Sequence, residues 1–210
     1  MPYKDKVKQK EAQRRHYQEN KAAYHESRKR NRDLRDSWFH EIKKNFVCDC
    51  GESDYRCLDF HHLDPTTKKF TIADGVKFGL SEQVILDEIA KCKVVCANCH
   101  RREHVEDEFD PACYHRPRVG RNIQWLREFK KTFVCDLCNI ADWIVLDFHH
   151  RDNVEKRETI SKMVTKGCSV KTLLTEIAKC DVRCANCHRK SHNGNKWGCC
   201  SRNGAHGHQH

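Results

Sequence analysis

One nonapeptide occurs twice in this chain: CANCHRREH, Cys96 to His104, returns as CANCHRKSH, Cys184 to His192. The match reaches well beyond it, because with an offset of 88 residues 55–104 align without a gap on 143–192, with 26 identities in 50 positions. Upstream the offset becomes 87, WFHEIKKNFVCD (38–49) facing WLREFKKTFVCD (125–136), so the first copy is one residue shorter near its first cysteines. A duplication on this scale constrains the architecture more than any other feature: whatever one copy folds into, the chain holds twice.

Each copy is small, and small domains bury too little surface to be held by a core alone. With 38% apolar and 33% charged residues the core here is thin, which turns attention to the 15 cysteines as ties. The first forty residues contain no apolar run resembling a signal peptide and no segment approaches membrane-spanning length, so an intracellular, non-secreted, reduced protein with no membrane partner is expected. In that setting Cys-x-x-Cys pairs near histidines read as metal ligands rather than crosslinks. Cys135 and Cys138 can meet Cys184 and Cys187 to form a closed four-thiolate zinc site. In repeat 1 the set is Cys48, Cys50, Cys96 and Cys99, where the shortened spacing leaves Cys57 open as a substitute ligand. Up to two structural Zn²⁺ ions are therefore expected. Cys92 and Cys180 read as small core residues, Cys113 and Cys168 have no assigned role, and Cys199 and Cys200 fall in the tail.

A coarse reading places CLDFHH on a short alternating strand, SEQVILDEIAKC on a helix capped by Ser81, and VVCANCHRREH on a strand that turns through a cysteine knuckle into a helix. The second copy repeats this order. Asn98 and Asn186, inside the knuckle, read as turn residues. His100 and His104, like His188 and His192, are spaced by one helical turn and can chelate one ion, whereas the adjacent Cys99 points about 100° away. A third ligand can come from the paired histidines of LDFHH, which alternate across the strand, so that one binds while the other stays free as a proton acceptor. Three protein ligands leave room for water or a phosphate oxygen, the mark of a catalytic rather than a structural ion.

The formal net charge of +10 points to a polyanionic partner, and residues 1–45 carry fourteen Lys or Arg against seven Asp or Glu. This arm has helix-forming composition but too few apolar residues for a core-facing stripe. It reads as a solvated basic helix for nucleic-acid contact, or as a solubilising tail.

At FHHLDP (60–65) and CHRREH (99–104), with the flanking cysteine pairs, the sequence resembles the HNH endonuclease superfamily, in particular its zinc-containing branch. The resemblance covers about sixty residues per copy. It implies an α+β fold: two small zinc-stabilised ββα-metal domains in tandem, preceded by a long basic helical arm. The boundaries expected are an arm over 1–36, repeat 1 over 37–107, a linker over 108–120 where Pro111, Pro117 and Gly120 break regular structure, repeat 2 over 121–194, and a disordered tail over 195–210. It also implies that His62 and His150 are general bases, that His61, His100 and His104 hold one divalent ion (Mg²⁺, Mn²⁺ or Zn²⁺), and that His149, His188 and His192 hold another. Asp59 and Asp147, two residues before the strand ligand and on its face, could orient that ligand or be solvated; Arg101 and Arg189 could touch the scissile phosphate or be plain surface groups. Where the family carries a middle Asn that pins the loop of the base, this chain has Lys91 and Lys179. The function implied is hydrolysis of phosphodiester bonds, most naturally in double-stranded DNA, by a monomer with two centres or a dimer. The rival reading is a non-catalytic tandem zinc module that binds DNA or RNA, and between the two lies a chain with one active and one degenerate copy.

Overall fold

The computed structural model describes residues 6–105, 115–151 and 155–192. The expected tail, the first part of the linker, and Cys113, Cys199 and Cys200 lie outside them. The described chain is mixed α and β, with a long N-terminal helix and two small two-stranded sheets.

Helix α1 (Lys6–Lys43) runs unbroken through what the sequence divides into arm and first repeat. It contains neither Gly nor Pro, and only Phe39 and Lys43 are buried, so it is an exposed basic rod of about 57 Å at about 1.5 Å rise per residue. Among the described residues, no helix is long and apolar enough to cross a membrane.

Each copy then follows one plan. A strand, β1 (Leu58–His62) or β3 (Leu146–His150), is followed by two short helices, α2 (Ile72–Phe78) and α3 (Glu82–Ile89) or α6 (Ile160–Thr165) and α7 (Val170–Ile177). A second strand, β2 (Cys92–Cys96) or β4 (Cys180–Cys184), runs straight into a last helix, α4 (Ala97–Glu103) or α8 (Ala185–Ser191). Between the copies lies α5 (Pro117–Lys130), so residues 117–120 are helix rather than linker. Pro117 fits there because the first turn of a helix needs no N–H from it. In repeat 2 the strands are antiparallel, with Leu146 opposite Cys184 and His150 opposite Cys180.

Helices α2 and α6 are absent from the sequence reading, although local chemistry marks them. Thr71 accepts from the Asp74 amide at 3.1 Å and Thr159 from that of Lys162 at 3.3 Å, and Gly79 and Gly167 follow with φ of 74° and 72°. Ser81 stands at the N-cap of α3 but makes no capping bond, whereas Ser169 caps α7 through the Thr172 amide at 3.2 Å. Both helices turn one face inward: Ile85, Glu88 and Ile89 in α3, and Leu173, Glu176 and Ile177 in α7. The i, i+3, i+4 spacing is that of a core stripe, with a glutamate where an apolar residue is usual.

The described residues form two compact units, one within Met1–Asn45 and His62–Cys92, the other within Phe46–His61 and Lys93–His210. In the second unit, Cys48, Cys57, Leu58 and Cys96 make one small core and Cys135, Val145, Leu146, Val182 and Cys184 another. A third joins α5, α6 and α7 around Met163 and Leu173. This unit also holds α4 against α8. The Asn98 amide donates to Asn186 Oδ1 and the Asn186 amide to Asn98 Oδ1, each at 3.1 Å, with both side chains buried. These asparagines are therefore not turn residues but a reciprocal clasp between the copies.

Candidate metal centres

Two kinds of cluster that could hold a metal ion are present in each copy. Cys48, Cys50, Cys96 and Cys99 converge, as do Cys135, Cys138, Cys184 and Cys187, with the sulfurs of each set within 4.8 Å of one another. The Cys50–Cys96 and Cys138–Cys184 Sγ separations are 3.6 and 3.7 Å. A tetrahedral ion with Zn–S of about 2.3 Å requires edges of about 3.8 Å, which these two separations match, so both sets are compatible with zinc. The shorter knuckle of repeat 1 closes because Gly51 adopts φ 89°, where repeat 2 uses one more residue and places Asn139 at φ 58°. Cys57 takes no part: its buried thiol donates to the Asn186 carbonyl at 3.5 Å, and burial pushes it up to about 12.

One thiol in each set is already biased towards thiolate. Burial pushes Cys135 up, but the amides of Cys184, Leu137 and Cys138 outweigh it and bring the group to about 7. Cys96 likewise falls to about 7 against its burial, through the Cys99 amide and the Asn186 side chain. Cys184 receives the mirror-image contact from Asn98 Nδ2 at 3.5 Å.

The histidine clusters are separate. His61, His100 and His104 each bring a ring nitrogen within 4.8 Å of the others, and so do His149, His188 and His192. Ring centroids lie 4.9–5.1 Å apart in repeat 1 and 4.8–5.1 Å apart in repeat 2. Burial, then Arg183 and the two neighbouring rings, hold His149 at about 4, so its ring is neutral and its lone pair free at neutral pH. Burial lowers His61 too, opposed by Glu103, whose Oε2 is 3.4 Å from its Nε2.

Asp59 and Asp147 hold a different histidine from the one expected. Asp59 Oδ2 meets His100 Nδ1 at 3.0 Å and Asp147 Oδ2 meets His188 Nδ1 at 3.0 Å, so they orient the first helical ligand and not the strand ligand. The reason is that the helix brings that ring's Nδ1 back over the strand face from which the aspartate projects. In the tautomer that donates Nδ1–H to the aspartate, Nε2 is the nitrogen available to an ion. Burial pushes Asp147 up, but His188, Arg101 and Lys130 together hold it well below the usual carboxylate range.

Arg101 and Arg189 also depart from expectation, since both are engaged within the protein. Arg189 grips Asp59 with two bonds of 2.9 and 2.8 Å and the Cys57 carbonyl at 3.2 Å. Arg101 bonds Asp147 at 2.7 Å and the Val145 carbonyl at 3.2 Å. Following the ligand histidine by one position, each points about 100° round the helix, towards the opposite copy.

His62 and His150 are anchored by residues that the sequence reading missed. His150 Nε2 lies 2.9 Å from Glu176 Oε1, which also accepts from the Arg157 amide, while Lys179 Nζ reaches Glu176 Oε2 and the Glu155 carbonyl, each at 2.9 Å. In repeat 1 His62 Nε2 is 3.0 Å from Glu88 Oε1, and Lys91 Nζ joins Glu88 Oε2 at 2.6 Å to the Thr67 carbonyl at 3.1 Å. Lys91 and Lys179 thus tie the loop behind the strand histidine to a buried carboxylate. The signal that could have found Glu88 and Glu176 was their place on an otherwise apolar helix face.

No family model, curated protein or solved structure matches the chain.

Proposed function

We propose that this protein is a metal-dependent endonuclease of the HNH kind, hydrolysing phosphodiester bonds of double-stranded DNA at one centre per repeat. The observation that carries this reading is the separation of ligand sets in both copies. Four cysteines gather in a closed cluster and three imidazoles converge elsewhere, and the strand histidine that follows the first of these in the sequence is anchored by a buried carboxylate.

Zn²⁺ in the thiolate clusters is structural, with no coordination position left for substrate. In each histidine cluster a divalent ion (Mg²⁺, Mn²⁺ or Zn²⁺) would supply Lewis-acid stabilisation of the charge that builds on the phosphate. The chain's own residues do the rest. With Nε2–H given to Glu176, His150 keeps the lone pair of Nδ1 for a proton, and His62 does the same through Glu88. As the water oxygen bonds to phosphorus, its proton passes to Nδ1 and the bond to the 3′ oxygen breaks. The basic α1 contributes phosphate contacts without reading bases. Two centres in one intracellular chain allow both strands to be cut by a monomer.

Supercoiled plasmid with Mg²⁺ or Mn²⁺, with and without EDTA, tests the reading. Chelator-sensitive linearisation is expected from the wild type, and nicks alone from His62→Ala or His150→Ala. Linearisation unchanged in either single variant rejects the two-centre reading. Salt-sensitive binding without cleavage would instead identify a tandem zinc module that binds nucleic acid.

A further inference from the structure

The contacts between α4 and α8 do more than hold the copies together. Three of the side chains that they carry across the boundary reach a cluster cysteine of the other copy or the carboxylate that holds one of its histidines, while others, such as Lys190 on Glu52 and Arg102 on Asp142, only join the copies. Asn98 of repeat 1 donates to the zinc-cluster sulfur of Cys184, and Arg101 of repeat 1 to Asp147, the carboxylate that holds His188. In the other direction Arg189 takes Asp59, which holds His100. Both Asp–Arg pairs line one cavity of about 290 Å³, together with His100, His104 and His188.

We propose that Arg189 is a positioning residue for the histidine centre of repeat 1 and Arg101 for that of repeat 2, so that each copy completes the other's metal site. This rests on reading the histidine clusters as metal centres. A carboxylate held only by the imidazole it orients is free to rotate about its own side chain, and the ring can rotate with it. The bidentate guanidinium of Arg189 fixes the plane of Asp59, and the Cys57 carbonyl fixes the guanidinium. With Asp59 fixed, the Nδ1–H tautomer of His100 and the direction of its Nε2 follow. Arg101 acts on Asp147 and His188 in the same way, with one bond to the carboxylate where Arg189 has two.

The arrangement makes the copies interdependent. Neither contains a complete set of orienting groups, and the residue that each lacks sits one position after the other's metal-ligating histidine. A mutation in one copy is therefore felt in the other copy's centre, which a string of two autonomous domains would not show.

The test uses the full chain with Zn²⁺ in its thiolate clusters and Co²⁺ as the probe, its binding followed by visible absorption. Two backgrounds isolate the centres. His149→Ala with His192→Ala leaves only the repeat 1 histidine site, and His61→Ala with His104→Ala leaves only that of repeat 2. In the first background Arg189→Met should weaken Co²⁺ binding by roughly 10- to 100-fold, Arg189→Lys by less, and Arg101→Met hardly at all. In the second background the two arginines should exchange roles. Loss confined to the arginine's own copy, or equal loss from both arginines, overturns the proposal; the second result would mark a merely structural interface or a general failure to fold. A wild-type chain that takes up no Co²⁺ beyond its thiolate clusters overturns the metal-centre reading itself, before any arginine is changed.

Discussion

Glu88 and Glu176 are among the least exposed charged residues described, at 1% and 2% accessibility, and each is bonded to a lysine, a backbone amide and a strand histidine. Burial raises such a carboxyl, yet the three donors outweigh it and hold each at about 2 against an ordinary 4.5. The sign follows directly. A carboxyl with a depressed folded-state pKa contributes stability that is fully present above about 4.5 and is lost as pH falls through about 2. Thermal midpoints should therefore fall progressively as pH is lowered from 5 towards 2 (on the order of those pKa values), and the slope should flatten in Glu88→Gln with Glu176→Gln. A slope unchanged in the double variant would show that the acid-labile groups lie elsewhere. At neutral pH each Gln variant leaves a lysine without its counter-charge and should cost about 1–3 kcal/mol, read by denaturant melts. In this chain the Lys–Glu pair stands where the HNH resemblance leads one to expect a loop-pinning asparagine, and it pins through charge what an amide would pin through hydrogen bonds alone.

At the scale of elements, the duplication made the strands, the α3 and α7 helices and the gathering of the cysteine and histidine sets legible, because one pattern seen twice in register separates signal from composition. What stayed hidden has physical causes. Helices α2 and α6 have seven and six residues, less than two full turns, too few for a period to show, and only their threonine caps and following glycines betray them. The α4–α8 clasp is non-local, and nothing in a single copy says that Arg101 or Asn98 faces its own duplicate. The one-residue-shorter cysteine knuckle marks repeat 1 as the weaker copy by sequence alone, but the elements around the histidines carry the opposite bias. Glu103 on α4 lies 3.4 Å from His61 and is paired with Lys93 at 2.6 Å. Its counterpart on α8 is Ser191, and there the larger charge acting on His149 is that of Arg183, itself paired with Asp181 at 3.1 Å. With a paired carboxylate the nearer charge at one cluster and a paired guanidinium the larger charge at the other, their cation affinities should separate by roughly two- to fivefold. In the isolating backgrounds, Co²⁺ should bind repeat 1 more tightly, and Glu103→Ser should erase most of the difference. Equal affinities in the unsubstituted centres would refute the electrostatic ranking.

For the molecule as a whole, the proposed function assigns hydrolysis and capture of the polyanion to different regions of the sequence. The histidine clusters come from two copies of one unit that also carries a four-cysteine cluster, while α1 provides a basic helix of 38 residues whose side chains are mostly exposed. Helix α1 has no apolar stripe beyond its last turns, so packing gives no reason for its length, whereas the proposed phosphate contact would. Each lysine or arginine that settles on a phosphate releases condensed counterions, and the logarithm of the binding constant then falls with the logarithm of salt by about 0.9 per contact. Arg14, Arg15, Arg28, Lys29 and Arg30 are exposed on α1 and far along the chain from every ligand cluster. Their replacement by Gln should weaken binding of the metal-free protein to any duplex, irrespective of sequence, and reduce the salt slope by about 0.9 for each residue that made a contact. Cleavage at saturating DNA should be unchanged, because the charges act before the chemistry. If the Gln variant keeps both the affinity and the slope of the wild type across a salt titration, α1 does not touch nucleic acid, and the positive charge that holds the substrate must be sought on the repeats themselves.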